Sequence, residues 1–324
     1  MQNNLLIWEP KSYDQPFHLE KDSLTAEWVS QVKEVAPFER LVVSWNSTTH
    51  ENTNIEVWIR VRTSQNWSMW FSYGKWTTDG NNTGSFSGQK DNFARLDIDE
   101  LVVHSGPGEA VQVKLALTRK NSEVISPSVK SVYASLSTPA NRHEVTIGSE
   151  DIHLVVPTRS QLVVEEIGNI ICSPTSISMV FEYYGLNLPT EKVAKGTIDN
   201  GTSIYGNWSY NVAYAGECGY NAYVEYCDSF DNVISLLKRG IPVVASIKTK
   251  DVSELDGATQ AYPSGHLIVV TGIEHSDRGM MVCVNDPATR TVDNVSRKYR
   301  YDQFIKAWKH LIYVIKRPSY AIDS

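Results

Sequence analysis

The sequence predicts an α+β chain in two parts: an all-β sandwich, then a domain in which helices lie against an antiparallel sheet. Three observations carry this. Between residues 40 and 135, short runs alternate apolar and polar side chains with turn residues between them, the period-two signature of half-buried strands. In the C-terminal half, helical patterns come first and β-rich runs later, the order of an α+β domain. The chain has 324 residues, more than one hydrophobic core usually organises, so two units of roughly 130–180 residues are expected.

The N-terminal part, residues 1–138, justifies the β reading strand by strand. Ile55-Glu-Val-Trp-Ile-Arg-Val-Arg62 places Ile55, Val57, Ile59 and Val61 on one face, and Val111-Gln-Val-Lys-Leu-Ala-Leu-Thr118 does the same with Val111, Val113, Leu115 and Leu117. Thr77-Thr-Asp-Gly-Asn-Asn-Thr-Gly-Ser-Phe-Ser-Gly88 is loop chemistry. Five of the nine tryptophans (Trp45, Trp58, Trp67, Trp70 and Trp76) crowd into one stretch. Exposed, they would form a stacking surface for sugars or peptides. As core and rim of a small sandwich they need no ligand, and this reading is preferred because aromatics are ordinary strand residues. Ser137-Thr-Pro-Ala-Asn-Arg142 reads as the linker to a second domain, residues 139–324.

The second part opens with Asn169-Ile-Ile-Cys172-Ser-Pro-Thr-Ser-Ile-Ser-Met-Val-Phe-Glu-Tyr-Tyr-Gly185. Pro174 suits a first helical turn, Ile177, Val180, Phe181 and Tyr184 recur at helical spacing, and Gly185 supplies the stop. The stretch Thr202–Tyr226, rich in Tyr, Gly and Asn, reads as a long surface loop near the cleft. Ser229 to Gly240 reads as a helix capped at its start, Ile241–Lys248 as a strand, Tyr301–Trp308 as a short helix and Leu311–Lys316 as a final strand. Leu267–Ile273 and Met280–Val284, separated by Glu274-His-Ser-Asp-Arg-Gly279, form a hairpin signal.

This arrangement brings reactive side chains together. Cys172 falls in the first turn of its helix, where partial positive charge favours thiolate; a free thiol titrates near pH ~8.5, and such a site lowers it by one to several units. His266 opens the first strand of the hairpin and Asp286 follows the second, so both sit at the same end of the sheet. A thiol, an imidazole and a carboxylate in those places make a nucleophile, a general base and its orienting group. Taken singly, each has a plainer reading: a buried small hydrophobe, a structural histidine and an Asp-Pro turn. Their conjunction, in the chain order of papain-like enzymes, is far more specific.

Four segments, Val156-Pro157-Thr-Arg-Ser160-Gln161, Cys172-Ser-Pro-Thr-Ser176, Gly265-His266-Leu-Ile-Val-Val-Thr-Gly272 and Val284-Asn-Asp-Pro-Ala288, resemble the papain-like cysteine peptidases of the double-glycine, bacteriocin-processing type. The closer resemblance is to the stand-alone branch, which lacks a transporter. It covers residues 145–318, with an added N-terminal β domain. It implies a Cys–His–Asp triad at Cys172, His266 and Asp286, and a glutamine at the oxyanion hole, for which Gln161 is the match. Two departures stand out. Ser173 follows the nucleophile where the family has glycine, and Gln161 lies farther upstream than the family's glutamine, so Val163–Gly168 would loop out. Asn169 is the fallback donor.

The expected function is that of a cysteine peptidase or amide hydrolase working through a thioacyl intermediate. A transglutaminase or cell-wall amidase would use the same three residues. A catalytically inactive binding protein that recognises peptides or glycans through the Trp-rich sandwich is the rival from another class. A peptide or protein is the expected substrate, with a glycan or peptide as a further partner of the N-terminal domain.

Composition narrows the field further. The net charge of −7 and the lack of a basic block argue against nucleic acid, and nothing approaches eighteen continuous apolar residues, so no membrane span is expected. The start, Met1 to Pro10, lacks a signal-like basic and apolar pattern, which reads as cytoplasmic, or secreted if a signal was trimmed. Cys218 and Cys227 could pair or remain free thiols, and Cys283 reads as core. No CxxC pair or clustered histidines suggest zinc, so no cofactor and no metal are expected. His275 sits in the hairpin turn, at the wrong end to serve Asp286.

Overall fold

The computed structural model describes residues 4–78, 83–138, 142, 143, 145, 150–277 and 279–318. The chain forms two compact units, Met1–Ala140 with Gly196–Tyr226, and Asn141–Lys195 with Cys227–Ser324. Residues 139–141 of the expected linker lie outside the described residues, as do residues 79–82 of the expected Thr77–Gly88 loop.

The first unit is built on two antiparallel sheets. In one, Arg40–Thr48 and Ser128–Ser137 run side by side at the centre; in the other, Gly108–Arg119 lies between Thr25–Val29 and Thr53–Thr63. The alternation read from the sequence is the alternation of burial. Ile55, Val57, Ile59 and Val61 have no exposed surface, nor have Val111, Val113, Leu115 and Leu117. Val113 faces Ile59 and Leu115 faces Val57 across the ladder, so both sets share one inward face.

The strand Arg40–Thr48 breaks that pattern, because Leu41 through Ser47 are all buried. Its second face is covered by residues expected to be a surface loop. Within 202–226 the chain forms the helix Trp208–Glu217 and the strand Asn221–Tyr226. Ser209 Oγ donates to Val43 O at 2.6 Å, and Asn46 exchanges two hydrogen bonds with Ala222. The Glu217 carboxylate accepts from Ser47, Thr49 and the indole of Trp76. A side chain on Gly216 would come within 3.0 Å of Asn46 Cα, so glycine permits this close approach. Its Tyr, Gly and Asn content mimics a loop, while the real determinant is burial against another strand.

The tryptophans divide. Trp45 and Trp76 are fully buried and meet edge-to-face at 6.5 Å, whereas Trp58, Trp67 and Trp70 are half-buried under Arg60, Arg62 and Lys114.

The second unit carries an antiparallel sheet in the order Trp308–Lys316, Val243–Ile247, His266–Ser276, Gly279–Asn285, Ser296–Arg300, with the two-residue strand Ile152–His153 also paired to His266–Ser276. The helices Cys172–Tyr183 and Asp231–Lys238 pack against the His266–Ser276 strand. The helix Asp231–Lys238 starts one residue later than expected, with Phe230 in place of Ser229 at its cap position and no side-chain cap; Ser229 Oγ accepts from Asp231 N at 3.1 Å. The hairpin pairs Ser276 with Gly279 next to its turn and Val269 with Asn285 at the other end, so His266 and Asp286 lie at the same end. Mixed helix and strand in this unit, preceded by an all-β region, is the α+β architecture expected. No helix among the described residues is long and apolar enough to cross a membrane.

Candidate active site

The helix Cys172–Tyr183 begins without a side-chain cap, so its first backbone N–H groups remain directed at whatever lies beyond the terminus. Ile171 and Ser173 through Phe181 are buried, and Cys172 alone in that stretch is partly exposed. Polar side chains on the inner face lock the helix. Ser176 Oγ donates to Leu267 O at 3.0 Å, and the Ser173 hydroxyl meets Tyr313 Oη at 3.0 Å. Ser173, where the resembled family has glycine, thus serves as a packing residue.

His266 is buried, and its ring stacks on that of Tyr262 with centroids 4.0 Å apart and planes within 9°. Its Nε2 lies 2.8 Å from Asp286 Oδ1. This leaves Nδ1 as the ring nitrogen not engaged by Asp286, and Cys172 and His266 are near enough for each to shift the other's titration. Asp286 has no exposed surface. Tyr262 Oη donates to its Oδ2 at 2.9 Å, Tyr299 Oη to the same atom at 2.7 Å, and Ala288 N to Oδ1 at 3.0 Å. With His266 these make four donors on one carboxylate, which offers about four lone-pair sites.

Burial would favour the neutral form of all three groups, and in each case partners prevail. The Asp286 carboxyl is penalised by desolvation, yet the charge and hydrogen bond of His266, then Ala288 N and Tyr299, hold it well below the usual carboxylate range. Desolvation would lower His266, but the charge and hydrogen bond of Asp286, then Cys172, raise it above its ordinary value. Desolvation would raise the Cys172 thiol, but His266, followed by the backbone N–H groups of Leu267 and Ser173, lowers it. The arrangement therefore favours thiolate beside imidazolium.

The segment leading to the helix is strapped to the Asp286 loop. Asn285 Nδ2 donates to Val156 O at 3.0 Å and Pro157 O at 3.2 Å, and Gln161 N donates to Pro287 O at 3.0 Å. The Gln161 side chain is buried; its Nε2 donates to Gly168 O at 2.7 Å, and its Oε1 is buried without a partner. The extra stretch after it folds into two 3₁₀ turns, Gln161–Val163 and Gly168–Ile170, the second ending just before Cys172. Asn169 is exposed. His275 pairs with Met280 near the hairpin turn and bonds Asp151 through Nδ1 at 2.9 Å.

Neither Tyr262 nor Tyr299 is singled out as a site residue by the sequence. An aromatic four residues before the base was the one available signal for Tyr262, whereas Tyr299 needed the register of the last hairpin, in which it faces Val282. None of the four cysteines is assigned to a disulfide among the described residues.

The second unit has the papain-like cysteine peptidase fold, a cysteine-bearing helix laid on an antiparallel sheet. Family models match along two stretches, that of the peptidase C39-like family at residues 153–315 and that of the peptidase C39 N-terminal domain at residues 7–137. The first spans just over half of the chain, and the chain belongs to the peptidase C39-like family. Among solved structures it is similar to a C39-like peptidase from Bacillus anthracis, at 19% identity and a TM-score of 0.39, covering 52% of this chain and 98% of that one. It is also similar to the peptidase domain of Streptococcus ComA, described as a bifunctional ABC transporter involved in quorum sensing, at 16% identity and a TM-score of 0.34, covering 51% and 98%. Nothing among curated proteins matches the chain.

Proposed function

We propose that this chain is a cysteine peptidase or related amide hydrolase. Cys172 Sγ attacks the carbonyl of a peptide or protein substrate, His266 carries the proton from thiol to leaving amine, and Asp286 orients the imidazole and stabilises its charge. Water then hydrolyses the thioacyl intermediate. The oxyanion is held by the Cys172 backbone N–H and by the Gln161 amide, whose Nε2 has one N–H beyond that given to Gly168. The observation that carries this reading is the buried Asp286–His266 pair at 2.8 Å, with the partly exposed Cys172 influenced by the same imidazole.

The test is the pH dependence of iodoacetamide modification at Cys172, with sites read by mass spectrometry, in wild type and His266→Ala. Fast labelling well below pH ~8.5 that disappears in His266→Ala is expected for an activated thiolate. Labelling no faster than at an ordinary thiol would sink the reading and favour the binding-protein alternative. Transfer of the acyl group to added amine in preference to water would favour a transglutaminase.

A second reading concerns the first unit alone. Its half-buried Trp58, Trp67 and Trp70 interleave with Arg60, Arg62 and Lys114 on the outer face of one sheet. Such a face would stack a glycan or peptide and would make this unit the recognition module of the enzyme.

A further inference from the structure

We propose that His153, Glu274 and Cys283 form a binding site for a borderline-soft divalent cation, Zn²⁺ being the ion whose ligand preferences they match. The three residues are remote in sequence and are assembled by strand register. His153 faces Gly272, and Gly272 faces Cys283, in one row across three strands. Glu274 lies two residues beyond Gly272, on the same face of the sheet. Gly272 is the reason the row can work. A Cβ there would come within 1.9 Å of Ile152 O, so no side chain can stand between the imidazole and the thiol.

One ligand atom from each residue lies within 4.8 Å of the other two. Donors around a tetrahedral zinc, at about 2.0–2.3 Å from the metal, stand roughly 3.3–3.8 Å apart. Closing the difference takes only side-chain rotation, because His153 is 52% exposed and Glu274 27% exposed at the side chain, while Cys283 is buried and held in its strand. One imidazole, one thiolate and one carboxylate supply two negative charges and a mixed N, S, O set, which suits zinc better than magnesium or calcium. The site already attracts a cation: Lys298 Nζ, on the strand paired with that of Cys283, lies 2.8 and 2.7 Å from the two Glu274 oxygens. Zinc would take the place of that ammonium, which stays protonated and swings to solvent. The Cys283 S–H bond breaks, the S–Zn bond forms, and the proton passes to water; a solvent molecule completes the fourth position.

The site is distinct from the thiol chemistry above. Gly272 lies six residues along the strand from His266, about 20 Å at the rise of a β-strand. What the metal would do there is mechanical. It clips the two-residue edge strand Ile152–His153 to two strands of the sheet, at the point where the chain enters the ladder.

The test uses the full chain with Cys172→Ala, which removes the competing thiol–imidazole pair, stripped with chelator and titrated with ZnCl₂ by calorimetry. One equivalent should bind. Cys283→Ala and, separately, the exposed His153→Ala should each weaken it roughly tenfold or more, since even outer-shell changes cost about 10–100-fold. Lys298→Ala should tighten it by removing the competing cation. Co²⁺ in place of zinc should show a thiolate charge-transfer band that Cys283→Ala abolishes. Zinc affinity unchanged in Cys283→Ala and in His153→Ala, or a cobalt complex without that band, overturns the proposal. If Cys283→Ala does not fold, the His153→Ala and Lys298→Ala titrations decide it by the same criteria.

Discussion

Asp286→Asn tests the electrostatics of the site with almost no change in shape. In wild type, Asp286 Oδ1 accepts from His266 Nε2 at 2.8 Å and Ala288 N at 3.0 Å, and Oδ2 accepts from the two tyrosines. An asparagine oxygen can keep the first pair of bonds, and its amide nitrogen can donate to tyrosine hydroxyls turned to accept. The geometry should survive while the charge is lost. Opposite charges about 4 Å apart interact by about 4 kcal/mol at an effective dielectric of ~20, and one pKa unit is ~1.4 kcal/mol. Removing the carboxylate charge should therefore lower the imidazolium by about three units, and burial, which already favours neutral imidazole, then acts unopposed. At neutral pH the pair should collapse from thiolate–imidazolium to thiol–imidazole.

The sign fixes the profile. A thiol held low and an imidazolium held high put the reactive ion pair between the two titrations, so wild-type alkylation should rise in acid and plateau through neutrality. In Asp286→Asn the neutral plateau should vanish, with labelling climbing only above pH ~8.5 as the thiol ionises alone. Peptide hydrolysis should fall by about 10⁴, the order seen when a triad carboxylate becomes an amide. Circular dichroism should be unchanged. A variant that keeps the wild-type labelling profile and turnover would remove Asp286 from the mechanism.

Tyr262→Phe keeps the ring that stacks on His266 and deletes one donor to Asp286, so kcat should fall by about tenfold with little change in KM, a hydrogen bond to a charged group being worth about 1.5–3 kcal/mol. Tyr262→Ala should cost more, and equal losses in the two variants would show that the stack contributes nothing. Residues 1–138 expressed alone should be less stable than the same strands in the full chain and should bind hydrophobic dye, because they lack the helix Trp208–Glu217 that buries one face of Arg40–Thr48. A thermal transition of the fragment matching that of its strands in the full chain would show the helix to be dispensable.

How far each feature could be read from the sequence follows from the range of the interaction behind it. The helix at Cys172 and the strand at Ile55–Arg62 announce themselves because periodicity and stop residues act over a few positions. The juxtaposition of His266 with Asp286 was legible for the same reason, since a hairpin is a local closure that puts its two ends together. The helix Trp208–Glu217 was not, because its burial depends on Val43 and Asn46, which lie more than 160 residues away. The second and third donors to Asp286 were hidden likewise: Tyr299 reaches it only through the pairing of Gly279–Asn285 with Ser296–Arg300.

Local signals thus marked the groups of the proposed chemistry, while long-range packing supplies what makes those groups chemically unusual. A carboxylate taken wholly out of water should become neutral. Asp286 escapes because the residues on either side of it are tied to one distant segment, Asn285 to Val156 and Pro157, and Pro287 to Gln161. That fastening fixes the carboxylate where two phenols, an amide and an imidazole all donate to it. Its charge then favours the imidazolium form of His266, whose nitrogen not engaged by Asp286 is left to the sulfur. The strap through 156–161 is therefore part of the electrostatics of the site, although none of those backbone groups need touch a substrate.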